Sequence, residues 1–91
     1  MRVTFDTAKS ERNETERGLP FHLANAFDWS TALVMQDTRR DYGESRFQAI
    51  GFIEQHLHVL VFTPRTDALH VISLRRANWR ERSRHAAQAQ A

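Results

Sequence analysis

From Thr31 onward the chain divides into four short apolar runs, Thr31–Thr38, Arg46–Glu54, Leu57–Thr63 and Leu69–Leu74. Each is rich in Val, Ile, Leu or Phe and closes on turn-forming residues, the pattern of strands rather than helices. The breaks between them are Asp41-Tyr42-Gly43-Glu44, Gln55-His56 and Pro64-Arg65-Thr66-Asp67. Parallel neighbours need a crossover of a dozen or more residues, so breaks this short favour hairpins and an antiparallel four-stranded meander. In the third run Leu57, Val59 and Val61 alternate with His58, Leu60 and Phe62, giving two largely apolar faces and a central strand.

The segments outside the meander read differently. Arg2-Val3-Thr4-Phe5 is a short strand candidate. Asp6 suits a helix N-cap, Thr7–Arg17 is helix-permissive, and Gly18 suits the residue that ends a helix. That helix has little apolar stripe and is expected to be mostly exposed. Pro20 opens a second, shorter helix to Phe27, with Leu23, Phe27, Phe21 and Ala24 on a core-facing side. A last helix starts near Ala77, and an alanine/glutamine tail over about 86–91 is expected to fray. The order is β-α-α-β-β-β-β-α over one domain, residues 1–91, of the α+β class. Helices stacked on one face leave the other partly open as a cleft or partner surface.

Charge is uneven along the 91 residues. The formal net charge is +2, but residues 1–45 carry −2 and residues 46–91 carry +4. Basic charge is almost all arginine, twelve against the single Lys9. Arg75, Arg76, Arg80, Arg82 and Arg84 crowd the end of the last strand and the last helix, facing one acid, Glu81. The planar guanidinium fork matches phosphate. Trp79 among them can staple the helix to the sheet or stack on a base. Contact with nucleic acid and a plain solvated helix are both open on this segment. There is no cysteine, which removes disulfide and thiolate chemistry and suits a reducing cytoplasm. The charged stretch Met1–Ser10 lacks the apolar core of a signal peptide, and no apolar run nears the ~18 residues that span a bilayer.

Candidate chemistry is sparse. His56 and His58 share a strand face and His70 could approach from the next strand, a metal-like pattern without a supporting carboxylate or cysteine. A histidine also has the pKa for acid–base work. Glu44 and Arg46, two apart, could form an ion pair or an acid/base beside a phosphate clamp. The three glycines are scattered, so no phosphate loop and no nucleotide cofactor are expected.

The ordered set Phe5-Asp6, Lys9, Asn13, Gly18, Phe21 and Ala24 resembles the opening of the BrnT toxins of type II toxin–antitoxin systems. Glu44-x-Arg46 with Gly51 resembles them too, as does Val71-Ile72-Ser73-x-Arg75-Arg76-Ala77 followed by Glu81-Arg82. The resemblance runs from Phe5 to about His85. It implies a RelE-like fold and a cytoplasmic, metal-independent endoribonuclease that inhibits translation. It also implies neutralisation by a ribbon-helix-helix antitoxin, BrnA, through which the complex binds operator DNA. The family usually has Lys-His where Glu16-Arg17 stand here, arginine at the position of His70, and an aromatic residue near His85. Metal-free cleavage needs a base for the 2′-OH, cations at the phosphorane and an acid for the leaving oxygen. Arg75 and Arg46 are the expected cations with Lys9 in support, and His70 or Glu44 the base or acid. Arg76, Trp79, Arg80 and Arg82 are the expected RNA-binding residues, with no metal and no cofactor. A non-catalytic binding module and a degenerate toxin that only binds its antitoxin are the alternatives.

Overall fold

The computed structural model describes residues 2–89. Its strands are β1 (Arg2–Phe5), β2 (Phe27–Gln36), β3 (Phe47–Ile53), β4 (His56–Arg65) and β5 (Ala68–Arg76). Its α-helices are α1 (Thr7–Arg17) and α2 (Trp79–Ala89), and a 3₁₀ helix spans Phe21–Ala26. β2 to β5 form the antiparallel meander that the short breaks require. The sheet has five strands, however, not four, in the order β1-β5-β4-β3-β2. β1 lies parallel to β5, with Val3 opposite Leu69 and Phe5 opposite Val71. The outer edge of β5 would otherwise present unpaired backbone groups, and β1 takes up the first half of it. Beyond Val71 the edge is closed by a side chain: Asn13 of α1 donates Nδ2 to the Leu74 carbonyl at 2.9 Å and to the Leu19 carbonyl at 2.7 Å.

α1 has the expected limits. Asp6 accepts from the Lys9 backbone N–H at 3.0 Å, and Gly18 ends the helix at φ 71°, a left-handed conformation that favours glycine. The helix docks through polar groups, since its buried residues are Ser10 and Asn13. Ser10 Oγ accepts the Phe21 N–H at 2.9 Å, which ties α1 to the 3₁₀ turn.

The β3–β4 and β4–β5 turns are the pairs Glu54-Gln55 and Thr66-Asp67, between Ile53 and His56 and between Arg65 and Ala68. Pro64 and Arg65 therefore extend β4 rather than the turn. β3 stops opposite Phe62, so the proline sits where one side of β4 has no ladder to complete.

Sheet alternation divides the core. On one face Phe21, Phe27, Ala49, Leu60, Val71 and Leu74 pack under the 3₁₀ helix. On the other, Ile50, Val59 and Ala77 pack with Leu33, Met35, Leu57 and Val61. α2 lies on this second face, which corrects the expectation of helices on one face only. His85 holds it there: Nε2 donates to the Thr31 carbonyl at 2.8 Å, and the ring meets Phe52 edge-on at 5.5 Å between centroids. Trp79, expected as the staple, is 64% exposed and cannot serve as one.

α2 begins at Trp79, not Ala77, because Asn78 and Glu81 form a capping box. Asn78 Oδ1 accepts from Glu81 N at 2.9 Å, and Glu81 Oε1 accepts from Asn78 N at 2.8 Å. The helix runs on through Ala89, across part of the expected tail, whose last two residues lie outside those described. Among the described residues no helix is long and apolar enough to cross a membrane.

Candidate active face of the sheet

On the face that carries α2, the far end of the sheet is polar. Thr4 of β1 pairs with His70 of β5, and His70 pairs with Thr63 of β4. Arg46 stands one step before Phe47, which pairs with Phe62, so it continues the same row past Thr63. Its carbonyl still accepts a strand-like bond from Asp37 N at 2.7 Å. The row reads Thr4, His70, Thr63, Arg46. Its side chains alternate away from the apolar face, since Val3, Phe5, Leu69, Val71, Phe62 and Phe47 all pack on the other side.

His70 Nδ1 lies 2.9 Å from Thr4 Oγ1, which fixes the ring. Burial holds its pKa below the ordinary 6.5, and the charges of Arg65 and Lys9 push the same way while Glu44 and Asp6 oppose them. His70 is therefore a neutral imidazole near neutral pH with cations around it. Arg65 reaches Glu44 at 3.3 Å, so the expected partner of Glu44 is displaced: it pairs with Arg65 and not with Arg46. The reason is local. Neither Glu44 nor Arg46 lies within β3, which starts at Phe47, so strand alternation does not hold them side by side.

Arg46 is instead stacked, its guanidinium carbon 3.8 Å from the centre of the Tyr42 ring. Arg46 Nε and Thr63 Oγ1 are the two buried side-chain polar atoms without a hydrogen-bond partner among the described residues. Buried polar atoms are ordinarily paired, and these two occupy adjacent positions of one row. The loop from Asp37 to Arg46 borders the row and encloses an open cleft of about 530 Å³ lined by Gln36, Asp41, Tyr42, Glu44, Ser45 and Arg46, among others. Asp37 anchors it. Its buried carboxylate accepts Arg39 Nε and Nη2, both at 2.8 Å, the Arg39 backbone N–H at 3.2 Å and Tyr42 Oη at 3.2 Å. Arg39 holds that carboxyl far below the usual range.

Arg75 shares the face but not the row. It pairs with Val59, four residues along β4 from Thr63, about 13 Å at the rise of an extended strand. Its fork is engaged by Glu81, Nη1 to Oε1 at 2.8 Å and Nη2 to Oε2 at 2.7 Å. Glu81 raises the Arg75 pKa, and Arg75 in turn lowers that of Glu81. Arg76 points to the opposite face, where Nη2 meets His56 Nδ1 at 3.0 Å. Arg82 folds back on the Ala77 carbonyl at 3.0 Å. Trp79 and Arg80 form an exposed cation–π pair at 5.3 Å on the outer side of α2. Lys9 sits in the first turn of α1, exposed, close enough for its charge to act on His70.

The structure thus gathers His70, Arg46, Glu44 and Lys9 at one end of one face and leaves the arginines of the last helix divided. His56 and His58 lie at the other end of β4 from His70, and among the described residues no group of three or more metal-type ligands converges. Sequence reading missed Thr4, Thr63, Asp37, Arg39, Tyr42 and Arg65. The spacing Asp37-x-Arg39 was the available signal for the anchor. The threonines carried none, because only the β1–β5 pairing and the β4 register place them.

A family model described as ribonuclease toxin, BrnT, of type II toxin–antitoxin system matches residues 5–81. No curated protein and no solved structure matches the chain.

Proposed function

This chain belongs to the BrnT family of ribonuclease toxins from type II toxin–antitoxin systems, and on that premise we propose that it cleaves RNA internally, without a metal, at the His70–Arg46 end of the sheet. A toxin of this class has an antitoxin as its partner. Our reading is that this partner is a BrnA-like ribbon-helix-helix protein, which alone brings operator DNA to the complex, that both act in the bacterial cytoplasm, and that the fold is RelE-like.

The observation that carries the reading is the row itself, which sets a base and a cation on either side of Thr63, two strand spacings or about 9.5 Å apart. His70, neutral and buttressed by Thr4, takes the 2′-OH proton as the oxygen attacks phosphorus. The Arg46 guanidinium meets the charge that builds on the phosphorane oxygens. Arg65 and Lys9 raise the local positive potential; on our reading Glu44, ion-paired with Arg65 as a carboxylate, is the alternative base, and the leaving 5′-oxygen takes its proton from the imidazolium that His70 becomes. The attacking group exists only in RNA, which gives the restriction to RNA. Arg75, Trp79 and Arg80 serve the flanking strand: the guanidinium as a second phosphate contact once Glu81 yields, the indole as a platform for a base.

The Arg75–Glu81 pair favours a second reading, a degenerate toxin that retains only antitoxin binding, because it leaves one family arginine already neutralised. Induction of wild type, His70→Ala and Arg46→Ala in a bacterial host separates the two. Growth arrest with degraded RNA, relieved by either substitution, supports the nuclease. Normal growth with intact RNA from all three, at equal protein levels, supports the degenerate toxin.

A further inference from the structure

Building on that reading of the active face, we infer that Asp37 and Tyr42 are positioning residues that present Arg46 to the scissile phosphate. Arg46 lies outside β3, on a loop, where an arginine side chain has several rotatable bonds and no strand neighbour to fix it. Two devices hold it. Its carbonyl is bound by the Asp37 N–H at 2.7 Å, so the two ends of the loop are joined at the backbone. Its guanidinium carbon lies over the Tyr42 ring, 3.8 Å from the centroid, and the Tyr42 hydroxyl donates to the Asp37 carboxylate at 3.2 Å. Asp37 thus grips Arg46 twice, once directly and once through the tyrosine.

The same carboxylate is braced by Arg39 through Nε, Nη2 and the backbone N–H. A buried carboxylate with this many donors is rigid, since any motion leaves a charge unpaired. The contact uses no N–H of the guanidinium; Nε is buried without a partner, and the Nη groups are the donors left in its plane. A phosphate takes hydrogen bonds in that plane, so Tyr42 orients the fork without competing for the anion. The arrangement fits a group needed in the transition state, where a misplacement of about 1 Å can cost 10²-fold.

The test is single-turnover and steady-state cleavage of an RNA by Tyr42→Leu, Tyr42→Phe and Asp37→Asn, each alone and with Arg46→Ala. Tyr42→Leu is expected to lower kcat about tenfold or more with KM little changed, because aim rather than binding is lost. Tyr42→Phe keeps the ring but cuts its tie to Asp37, so it and Asp37→Asn are expected to fall between Tyr42→Leu and wild type, and wild-type rates in both would remove Asp37 from the brace. In the Arg46→Ala background Tyr42→Leu is expected to cost nothing further, which a general structural role would not give. Full activity in Tyr42→Leu, or an equal loss in both backgrounds, overturns the brace. Full activity in Arg46→Ala itself overturns the location of the active face along with it. Should Asp37→Asn fail to fold, the partly exposed Tyr42 variants decide alone.

Discussion

In the proposed mechanism His70 is the base, and its surroundings give a pH dependence with a definite sign. Burial and the neighbouring Arg65 charge lower its pKa from 6.5, so the neutral base persists to more acidic pH than in a free histidine. Cleavage should therefore stay on a plateau at neutral pH and fall only below 6.5. His70→Ala should lose about 10²–10⁴-fold in rate, the usual worth of acid–base catalysis, and also the acidic limb of the profile. An unaltered profile in that variant would assign the base elsewhere. At Arg75 the expectation is different. Its fork is shared with Glu81, so Glu81→Gln, which can still complete the capping box, should free it and tighten RNA binding without melting α2. Weaker binding with unchanged melting would show the pair to be part of the RNA-binding surface. Arg46 was readable as a candidate from the family pattern, and His70 from residue type alone, since the family usually has arginine there. Their neighbours were not, because a threonine acquires meaning only when two strand registers put it beside a histidine.

At the scale of elements, two features fix how the helices meet the sheet. Gly51 has the Phe27 ring against it: a Cβ there would stand 2.5 Å from Phe27 Cζ. Gly51→Ala should then cost about 1–3 kcal/mol, the range for overpacking a core, seen as a lower denaturation midpoint. A variant as stable as wild type would mean that the ring can move aside. For α2, Trp79→Ala should shift stability by less than about 0.5 kcal/mol, while Asn78→Ala should cost about 1 kcal/mol through the lost cap. Reversed magnitudes would return the staple to the tryptophan. The α1 limits were legible because capping chemistry is local. α2 was harder to read, since its anchor is a histidine and its cap, Asn78-x-x-Glu81, hides among arginines. The docking of α1 was invisible to a search for apolar stripes, because Ser10 and Asn13 do it with hydrogen bonds. β1 was recognisable as a strand, but its parallel place beside β5 links the two ends of the chain, and no local pattern encodes that.

For the molecule as a whole, two histidines and three carboxylates couple folding to pH in the same direction. His58 and His70 both have pKa values lowered from 6.5, chiefly by burial. The folded state thus binds fewer protons than the unfolded one, so their contribution is complete above pH 6.5 and is lost as pH falls through the lowered values. Glu81 (lowered from 4.5 by Arg75), Asp37 (lowered from 3.8 by Arg39) and Asp28 (lowered by Ser30) add a second loss as pH falls below the ordinary carboxylate range. Stability should be greatest at neutral pH and decline in two steps on acidification, and a flat melting temperature between pH 7 and 4 would contradict this. The same arrangement divides the molecule. One face under the 3₁₀ helix is apolar throughout, while the opposite face has a second apolar cluster under α2 and the polar row at its other end.

That division rests on one claim, that the polar row breaks RNA through its own 2′-hydroxyl. The most direct measurement is cleavage of a defined RNA by the purified protein in excess chelator, beside the same strand with a 2′-deoxy residue at the mapped cut site. The account predicts cleavage in chelator, a 2′,3′-cyclic phosphate on the upstream product, no cut in the deoxy strand, and loss of activity in His70→Ala and Arg46→Ala. Cleavage of the deoxy strand, or activity that survives both substitutions, would contradict it.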